Sequence, residues 1–600
     1  MYPSATGRIL IMEKIDLTQI KSPEDFRSMD IPQLRELAKE TRSTLLKKLS
    51  VHGGHIGPNL GMVEAVIALH YVFDTPQDKI VFDVSHQTYP HKMLTGRIEA
   101  FTDPAHYDDV TGYTNPSESP YDLYSLGHTS SAVALAAGLA KARDLQGGKE
   151  NVVAVIGDGS LSGGVAFEGL DVGATLGSNF IVVVNDNQMS IAENHGGIYA
   201  DLRLLRNSNG TAEPNLFRAM GYAYRYVHYG NDLRSLIEMF RSVKDIDYPV
   251  VVHINTMKGM GLPAAESNKE AFHYGGPFDL KTGAPLHADA SSEEPVDYSD
   301  LFGSKMLARM KEDSRVAVIT AGTPGVLGFD PERRREAGRQ FIDVGIAEQA
   351  AVDLASGLAK GGARPVVGFV SSFLQRAYDQ FSQDIALNRQ AATFVVFYGT
   401  MFGMNDETHL GFFDIALLSN IPNLLFLAPT CREEFEGMLD WSVRQDKLAV
   451  VVRTPGSQAL PNPAIEVLED YADAPWQIVR RGSRVALIGA GAMFGFTQKA
   501  ADLLAEKGVE ATLINPRRLS SLDTEALDSL KDYDIVITAE DGIIDGGFGQ
   551  KVASYLGESP VKVSNLGLPK EFLNRYDYSE LQRRCGLTPE QIAESALSAL

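Results

Sequence analysis

Short runs of consecutive apolar residues recur along the whole chain. They are VVAVI at 152–156, FIVVV at 180–184, VVVHI at 250–254, RVAVIT at 315–320, TFVVF at 393–397, LLFLAP at 424–429, RVALIG at 484–489 and DIVITAED at 534–541. Each is apolar at successive positions rather than at alternate ones, as expected of a strand buried on both faces. Such strands form parallel sheets covered by helices. Helical patterns lie between the runs, so the expected class is α/β, with mainly parallel sheets flanked by helices. Two stretches interrupt the alternation, residues 276–300 (GPFDLKTGAPLHADASSEEPVDYSD) and 454–473 (TPGSQALPNPAIEVLEDYAD). Both are rich in Gly, Pro, Ser and acid, a linker composition. They divide the chain into three expected domains, at 1–285, 298–455 and 475–600.

With 600 residues the chain is too long for one core. Its 44% apolar and 22% charged residues are ordinary for a globular protein. A net charge of −22 argues against nucleic acid or an anionic membrane as the main partner, but not against small anions at a locally positive site. Two cysteines, Cys431 and Cys585, stand far apart and suggest neither a disulfide framework nor a metal cluster, so a reducing cytoplasm is expected. No apolar run reaches the roughly 18 residues that span a bilayer. The stretch from Met1 to Ile11 lacks the pattern of a signal peptide and reads as loose sequence ahead of Met12.

The most informative segment is VVAVIGDGSLSGGVAFEGLDVGATLGSNFIVVVNDNQMS, beginning at 152. An apolar strand ends in Gly157-Asp158-Gly159-Ser160, a helical stretch follows, and a second strand ends in Asn185-Asp186-Asn187. Asp158 and Asn187 are 29 residues apart, one βαβ step. That step brings two strand ends to the same edge of a parallel sheet, where such sheets bind ligands. One carboxylate and one amide oxygen then stand side by side, a hard oxygen pair suited to Mg²⁺ on a diphosphate. The glycines let the backbone approach phosphates closely. An aspartate capping a strand–turn–helix is the alternative for the GDG triplet alone. The NDN triplet at the right distance distinguishes the two. Together they resemble the thiamine-diphosphate signature of the transketolase and 2-oxoacid enzyme superfamily, and that resemblance implies Mg²⁺ held by Asp158, Asn187 and the backbone carbonyl of Met189.

The segment FIDVGIAEQAAVDLASGLA, in the second half, places Glu348 at the start of an apolar helical stretch. Such a glutamate is most often a cap or dipole partner. Enzymes with this cofactor use one at this place to share a proton with the aminopyrimidine ring, which a carboxyl in a dry pocket can do because its pKa is raised.

Nearly the whole chain is similar to the 1-deoxy-D-xylulose-5-phosphate synthase family. The resemblance is carried by GGHIGPNLGMVEAVIALHYVFDTPQDKIVFDVSHQTYPHKMLTGR, SLGHTSSAVALAAGLAKARD, the GDG segment, TMKGMGL, FIDVGIAEQ, SSFLQRAYDQ and GMNDETHLGFFDIALLSNIPN. It implies a diphosphate-binding, a pyrimidine-binding and a smaller C-terminal domain, with thiamine diphosphate and Mg²⁺ as cofactors, in a cytoplasmic homodimer. It also implies decarboxylation of pyruvate and transfer of the remaining two-carbon unit to an aldehyde, the cofactor's cationic ring serving as electron sink. By the same resemblance His55, His86 and His409 face the reacting groups, and Gly127, His128 and Ser130 contact the cofactor, as do Gly157, Gly159 and Ser160. Lys258 and His273 lie near diphosphate and substrate, Phe373 stacks on the aminopyrimidine, and Arg376 supports that pocket. His52 and His91 carry no such assignment.

Several positions depart from the family pattern. An Asp-Arg pair is replaced by Phe397-Tyr398, where the family arginine helps hold the acceptor's phosphate. An Arg-Tyr-Pro-Arg-Gly run reads Arg453-Thr454-Pro455-Gly456, keeping the first arginine but not the second. A tyrosine is Val370, an aspartate is Asn405, and the segment 192–222 is shorter than usual. Tyr398, Asn405, Arg453 and His273 are therefore the expected substrate-side residues, and every departure falls on the acceptor side. Three competing readings are a transketolase-like ketol transfer, a non-catalytic paralogue of the same fold, and an NAD-dependent enzyme. The last rests only on Gly489-Ala490-Gly491 after a strand, which is weak without an acidic residue to bind ribose.

Overall fold

The computed structural model describes residues 14–286, 296–454, 456 and 458–600; the expectation for residues 1–11, the middle of the first linker (287–295), and positions 455 and 457 of the second fall outside these. The chain folds into two compact units, Met1–Ser292 and Glu293–Leu600.

The first unit is built on a five-stranded sheet. Its order is Lys79–Phe82, Val152–Gly157, Phe180–Asp186, Pro249–Asn255, Ala223–Val227, and every pair is parallel. All residues of Phe180–Asp186 are buried, as the continuous apolar run predicts for a central strand covered on both faces. Its two faces feed separate hydrophobic clusters. Val153, Ile181 and Val183 pack with the almost entirely buried helix Gly57–Val72, while Ala154, Val182 and Val184 pack with the helix Ala132–Gln146. A two-residue antiparallel ribbon pairs Gly54 with Gly275 and His55 with Tyr274.

The second unit holds two sheets. The six-stranded one runs Leu424–Leu427, Ala449–Arg453, Thr393–Phe397, Arg364–Val370, Val316–Thr320, Phe341–Asp343, all parallel. The five-stranded one runs Gln477–Arg480, Ala511–Asn515, Val485–Gly489, Ile535–Ile543, Lys562–Leu568, antiparallel only at the first pair. One hydrophobic cluster joins them, with Phe394 and Phe426 from the first sheet and Ile488 and Ile514 from the second.

All eight apolar runs are strands. The α/β class with mainly parallel sheets is therefore the fold. Ala223–Val227 (AYRYV) escapes the apolar pattern because it is an edge strand, with Arg225 exposed. Segment 192–222 is not featureless. It contains the helix Ile198–Asn207, strongly amphipathic, with Leu202 and Leu205 buried, followed by the single turn Leu216–Ala219.

Candidate active site

In the first unit the register pairs Gly157 with Asn185, and the Asp158 N–H donates to the Asn185 carbonyl at 3.0 Å. The expected meeting of the two motifs at one sheet edge is thus present. Asp158 is only 1% exposed, and its Oδ1 has no hydrogen-bond partner among the described residues. Burial pushes its carboxyl up to about 8, and the neighbouring Asp186 carboxylate adds to the rise. A dry, half-satisfied carboxylate favours a cation. A Cβ on Gly157 would meet nothing within 4 Å, whereas one on Gly159 would lie 2.9 Å from Ser190 Oγ. The first glycine therefore leaves an open cradle for a ligand and the second lets Ser190 close over the loop. Among the described residues no three His, Cys, Asp or Glu side chains cluster as a metal site. An amide and carbonyl donor set such as Asn187 and Met189 needs no such cluster.

Lys258 stands at the same place. It is buried, and its Nζ donates to the Ser190 carbonyl at 2.6 Å and lies 3.0 Å from His273 Nδ1. Burial lowers its ammonium to about 7, with the Asp158 carboxylate opposing the fall. An anion arriving here restores its charge, so the residues fit a diphosphate carrying a divalent cation. The ribbon and the Ser85–Leu94 stretch bring three imidazoles together, with ring centres of His55 and His86 5.0 Å apart, His86 and His273 5.2 Å, and His55 and His273 5.8 Å. Burial, and then the Lys258 charge, hold His273 well below the usual imidazole range, so at neutral pH it is an uncharged acceptor and donor.

The Gly127-His128-Thr129-Ser130 loop reaches this group through an aspartate that the sequence reading passed over. Asp83, which follows the strand Lys79–Phe82, accepts from Ser130 N–H at 2.8 Å and Ala132 N–H at 2.9 Å. Ser130 Oγ in turn donates to the Ser160 carbonyl at 2.8 Å. Val84, Ser85, Ser130 and Gln188 all have left-handed φ values, between 58° and 73°. Such backbone is disfavoured for non-glycine residues, most of all for β-branched Val84, and strain of this kind gathers at functional sites. His91 does not join the imidazole group. It is buried between His70 Nε2 at 2.8 Å and Asp122 Oδ1 at 2.8 Å, a structural network that includes Arg97.

In the second unit Glu348 opens the helix Glu348–Lys360 and is 5% exposed. Burial raises its pKa, against the pull of Arg376, whose Nη1 is 3.8 Å away. Phe373 follows the strand Arg364–Val370, and its ring meets that of His409 edge-on at 5.6 Å. Burial alone brings His409 down to about 4, so it too is neutral at pH 7. Glu348, Phe373 and His409 all follow C-terminal ends of strands in one parallel sheet, the edge at which such sheets carry their chemistry.

The expected substrate-side residues fare differently. Arg453 is 1% exposed, with Nε 2.7 Å from Asp414 Oδ2 and Nη1 2.6 Å from Asp541 Oδ1. Its guanidinium is held by two buried carboxylates that link the two sheets, rather than presented at an exposed surface. Tyr398 has a φ of 56°, packs against the core beside the helix Tyr298–Glu312, and has its hydroxyl within reach of the Ser299 side chain. It too turns inward rather than towards a ligand. Asn405 Nδ2 donates to the Tyr576 carbonyl at 3.0 Å, and the Arg575 N–H donates to the Asn405 carbonyl at 2.7 Å, tying this loop to the 575–578 turn.

Residues 17–214 match the family model described as 1-deoxy-D-xylulose-5-phosphate synthase. Residues 294–460 match the pyrimidine-binding domain of transketolase, and 474–592 match its C-terminal domain. The chain is 38% identical to the 1-deoxy-D-xylulose-5-phosphate synthase of Symbiobacterium thermophilum, over 97% of this chain and 95% of the relative. The enzymes of the same name from Desulforudis audaxviator and Pelotomaculum thermopropionicum are each 38% identical, over 96% and 97% of this chain and 96% of each relative. With that identity sustained across both lengths, and with the GDG and NDN motifs meeting at one sheet edge, the chain belongs to the 1-deoxy-D-xylulose-5-phosphate synthase family, a thiamine-diphosphate-dependent group of transketolase-like enzymes.

Proposed function

We propose that this enzyme decarboxylates pyruvate and joins the two-carbon unit to an aldehyde, with thiamine diphosphate held through Mg²⁺ on Asp158, Asn187 and the Met189 carbonyl. The observation that carries the cation assignment is the buried Asp158 Oδ1, which lacks a partner among the described residues beside a glycine with open space over it. The bound cofactor supplies the electron sink for loss of CO₂. The chain supplies the rest. Lys258 neutralises phosphate charge, and His55, His86 and the uncharged His273 place imidazole hydrogen-bonding groups together beside it. Glu348 holds an exchangeable proton in a dry pocket, while Phe373 and His409 form an aromatic wall.

Asp158→Ala is expected to abolish retention of thiamine diphosphate in Mg²⁺, read by calorimetric titration of the metal-free protein. Binding at wild-type affinity in that variant would remove Asp158 from the site.

The same reading extends to organisation. We infer three domains, at 1–285, 298–455 and 475–600, supported by one large sheet in each. Assembly as a homodimer rests on the family layout, and light scattering at micromolar concentration is expected to give twice the 65.3 kDa chain mass; a monomer alone would contradict it. A cytoplasmic setting is supported by two unpaired cysteines, Cys431 and Cys585, and among the described residues no helix is long and apolar enough to cross a membrane.

A further inference from the structure

The segment from Ser190 to Arg206 runs directly over the strand ends that carry the cofactor motifs and touches them at three points. Asn194 Nδ2 donates to Asp158 Oδ2 at 2.7 Å. The Tyr199 hydroxyl donates to the Gly159 carbonyl at 3.1 Å. Arg206 pairs with Asp186, which also accepts from His253 Nε2 at 2.9 Å and from the Gln188 N–H at 3.2 Å. His253 is fixed in turn by the Tyr224 hydroxyl at 2.8 Å from its Nδ1. One surface segment therefore bonds to the GDG loop twice and to the NDN loop once.

These contacts leave a particular pattern of unmet need. Asp158 uses Oδ2 on Asn194, and three buried oxygens then have no partner among the described residues: Asp158 Oδ1, Asn194 Oδ1 and Ser190 Oγ. Buried polar atoms are nearly always satisfied, so three orphans around one carboxylate point to a ligand. All three are hard oxygens, two of them acceptors only, as a magnesium ion with its waters requires.

We propose that Asn194 is the positioning residue for the cation-binding carboxylate, and that the 190–206 segment clamps the cation–diphosphate site through Asn194, Tyr199 and Arg206. The inference rests on the reading that Asp158 and Asn187 hold Mg²⁺. Asn194 acts by orientation. Its amide donor fixes the rotation of the Asp158 carboxylate, so that Oδ2 is occupied and Oδ1 faces the cation. Tyr199 holds the Gly159 carbonyl away from the same space. Arg206 and His253 together fix Asp186, and so the turn from which Asn187 and Met189 come. Groups that orient metal-binding side chains in this way typically change metal affinity 10–100-fold when removed.

The test is calorimetric titration of Mg²⁺ into the full-length, metal-free protein at saturating thiamine diphosphate, for wild type, Asn194→Ala, Asn194→Ser, Tyr199→Phe and Asp158→Ala. Asn194→Ala is expected to raise the Mg²⁺ Kd by about tenfold or more, with the unfolding temperature of the metal-free protein unchanged and kcat recovered at saturating Mg²⁺. Asn194→Ser keeps a donor and is expected to recover part of the affinity. Tyr199→Phe removes one hydroxyl, folds without difficulty, and is expected to weaken binding by a smaller factor. Wild-type Mg²⁺ affinity in both Asn194→Ala and Tyr199→Phe would overturn the clamp. If Asp158→Ala loses the cation while those two keep it, only this inference fails. If Asp158→Ala also keeps it, the underlying cation assignment fails as well.

Discussion

Glu348→Gln is expected to lower kcat by about 10²–10⁴-fold, the usual cost of removing one acid–base group, while thiamine diphosphate still binds. The two side chains have the same shape, so the packing at the start of the helix Glu348–Lys360 is preserved. Proton exchange is what the amide lacks. Glu348 is buried, and burial raises its pKa despite Arg376 at 3.8 Å. A carboxyl so placed holds its proton more readily than an exposed one and can still pass it on, whereas a glutamine amide does neither. The measurement is the rate of proton exchange at the cofactor's reactive carbon, followed by NMR after a deuterium jump, alongside pyruvate turnover. Exchange within threefold of wild type would remove Glu348 from the chemistry. A fall in cofactor affinity that alone accounted for the lost turnover would leave it only a binding role.

The second large effect concerns the acceptor. The family resemblance implies two arginines clamping the aldehyde's phosphate with charge-assisted bonds. At those positions this chain has Tyr398 and Gly456, or no counterpart for the second. Hydrogen bonds to charged groups contribute roughly 1.5–3 kcal/mol each. Losing two costs about 3–6 kcal/mol, on the order of 10²–10⁴ in affinity. The structure removes the nearest substitute, because the Arg453 guanidinium is held by Asp414 and Asp541 and is 1% exposed. Drawing it out would leave two buried carboxylates uncompensated, a cost of several kcal/mol. Tyr398 offers no substitute either, since its ring packs against the core and its hydroxyl reaches Ser299. The expected result is that pyruvate decarboxylation is retained but the preference for phosphorylated aldehydes is weak. We therefore expect kcat/KM for D-glyceraldehyde 3-phosphate and for D-glyceraldehyde, with pyruvate saturating, to differ by less than about 10³-fold. A larger preference for the phosphate, equivalent to about 4 kcal/mol or more, would overturn the idea and assign the phosphate to cations elsewhere in the chain.

Much of this enzyme is determined by its sequence alone. A strand buried on both faces has to be apolar at consecutive positions, so the central strands announce themselves, and with them the α/β class. Short right-handed crossovers between parallel strands leave few topologies, so the spacing of Gly157-Asp158-Gly159 and Asn185-Asp186-Asn187 by itself puts them at one edge. Glu348 was legible as the first residue of an apolar helix. The edge strand Ala223–Val227 was not, because a partly solvated strand carries Arg225 and other polar residues in its pattern.

Tertiary structure decided the fate of the polar residues. Arg453 has the sequence neighbourhood of a ligand-binding arginine, yet its partners lie 39 and 88 residues away, at Asp414 and Asp541. Asn405 is tied down by the Tyr576 carbonyl, 171 residues along. Asp83 looks like any aspartate after a strand until the Ser130 and Ala132 amides arrive, 47 and 49 residues later. Asn194 reads as a loop residue, and only folding sets its amide against Asp158. Hydrophobic burial is a local property of a residue and its period, so a sequence records it. A hydrogen bond belongs to two groups at once, and whether an arginine serves a substrate or a buried carboxylate depends on which partner the fold brings within about 3 Å.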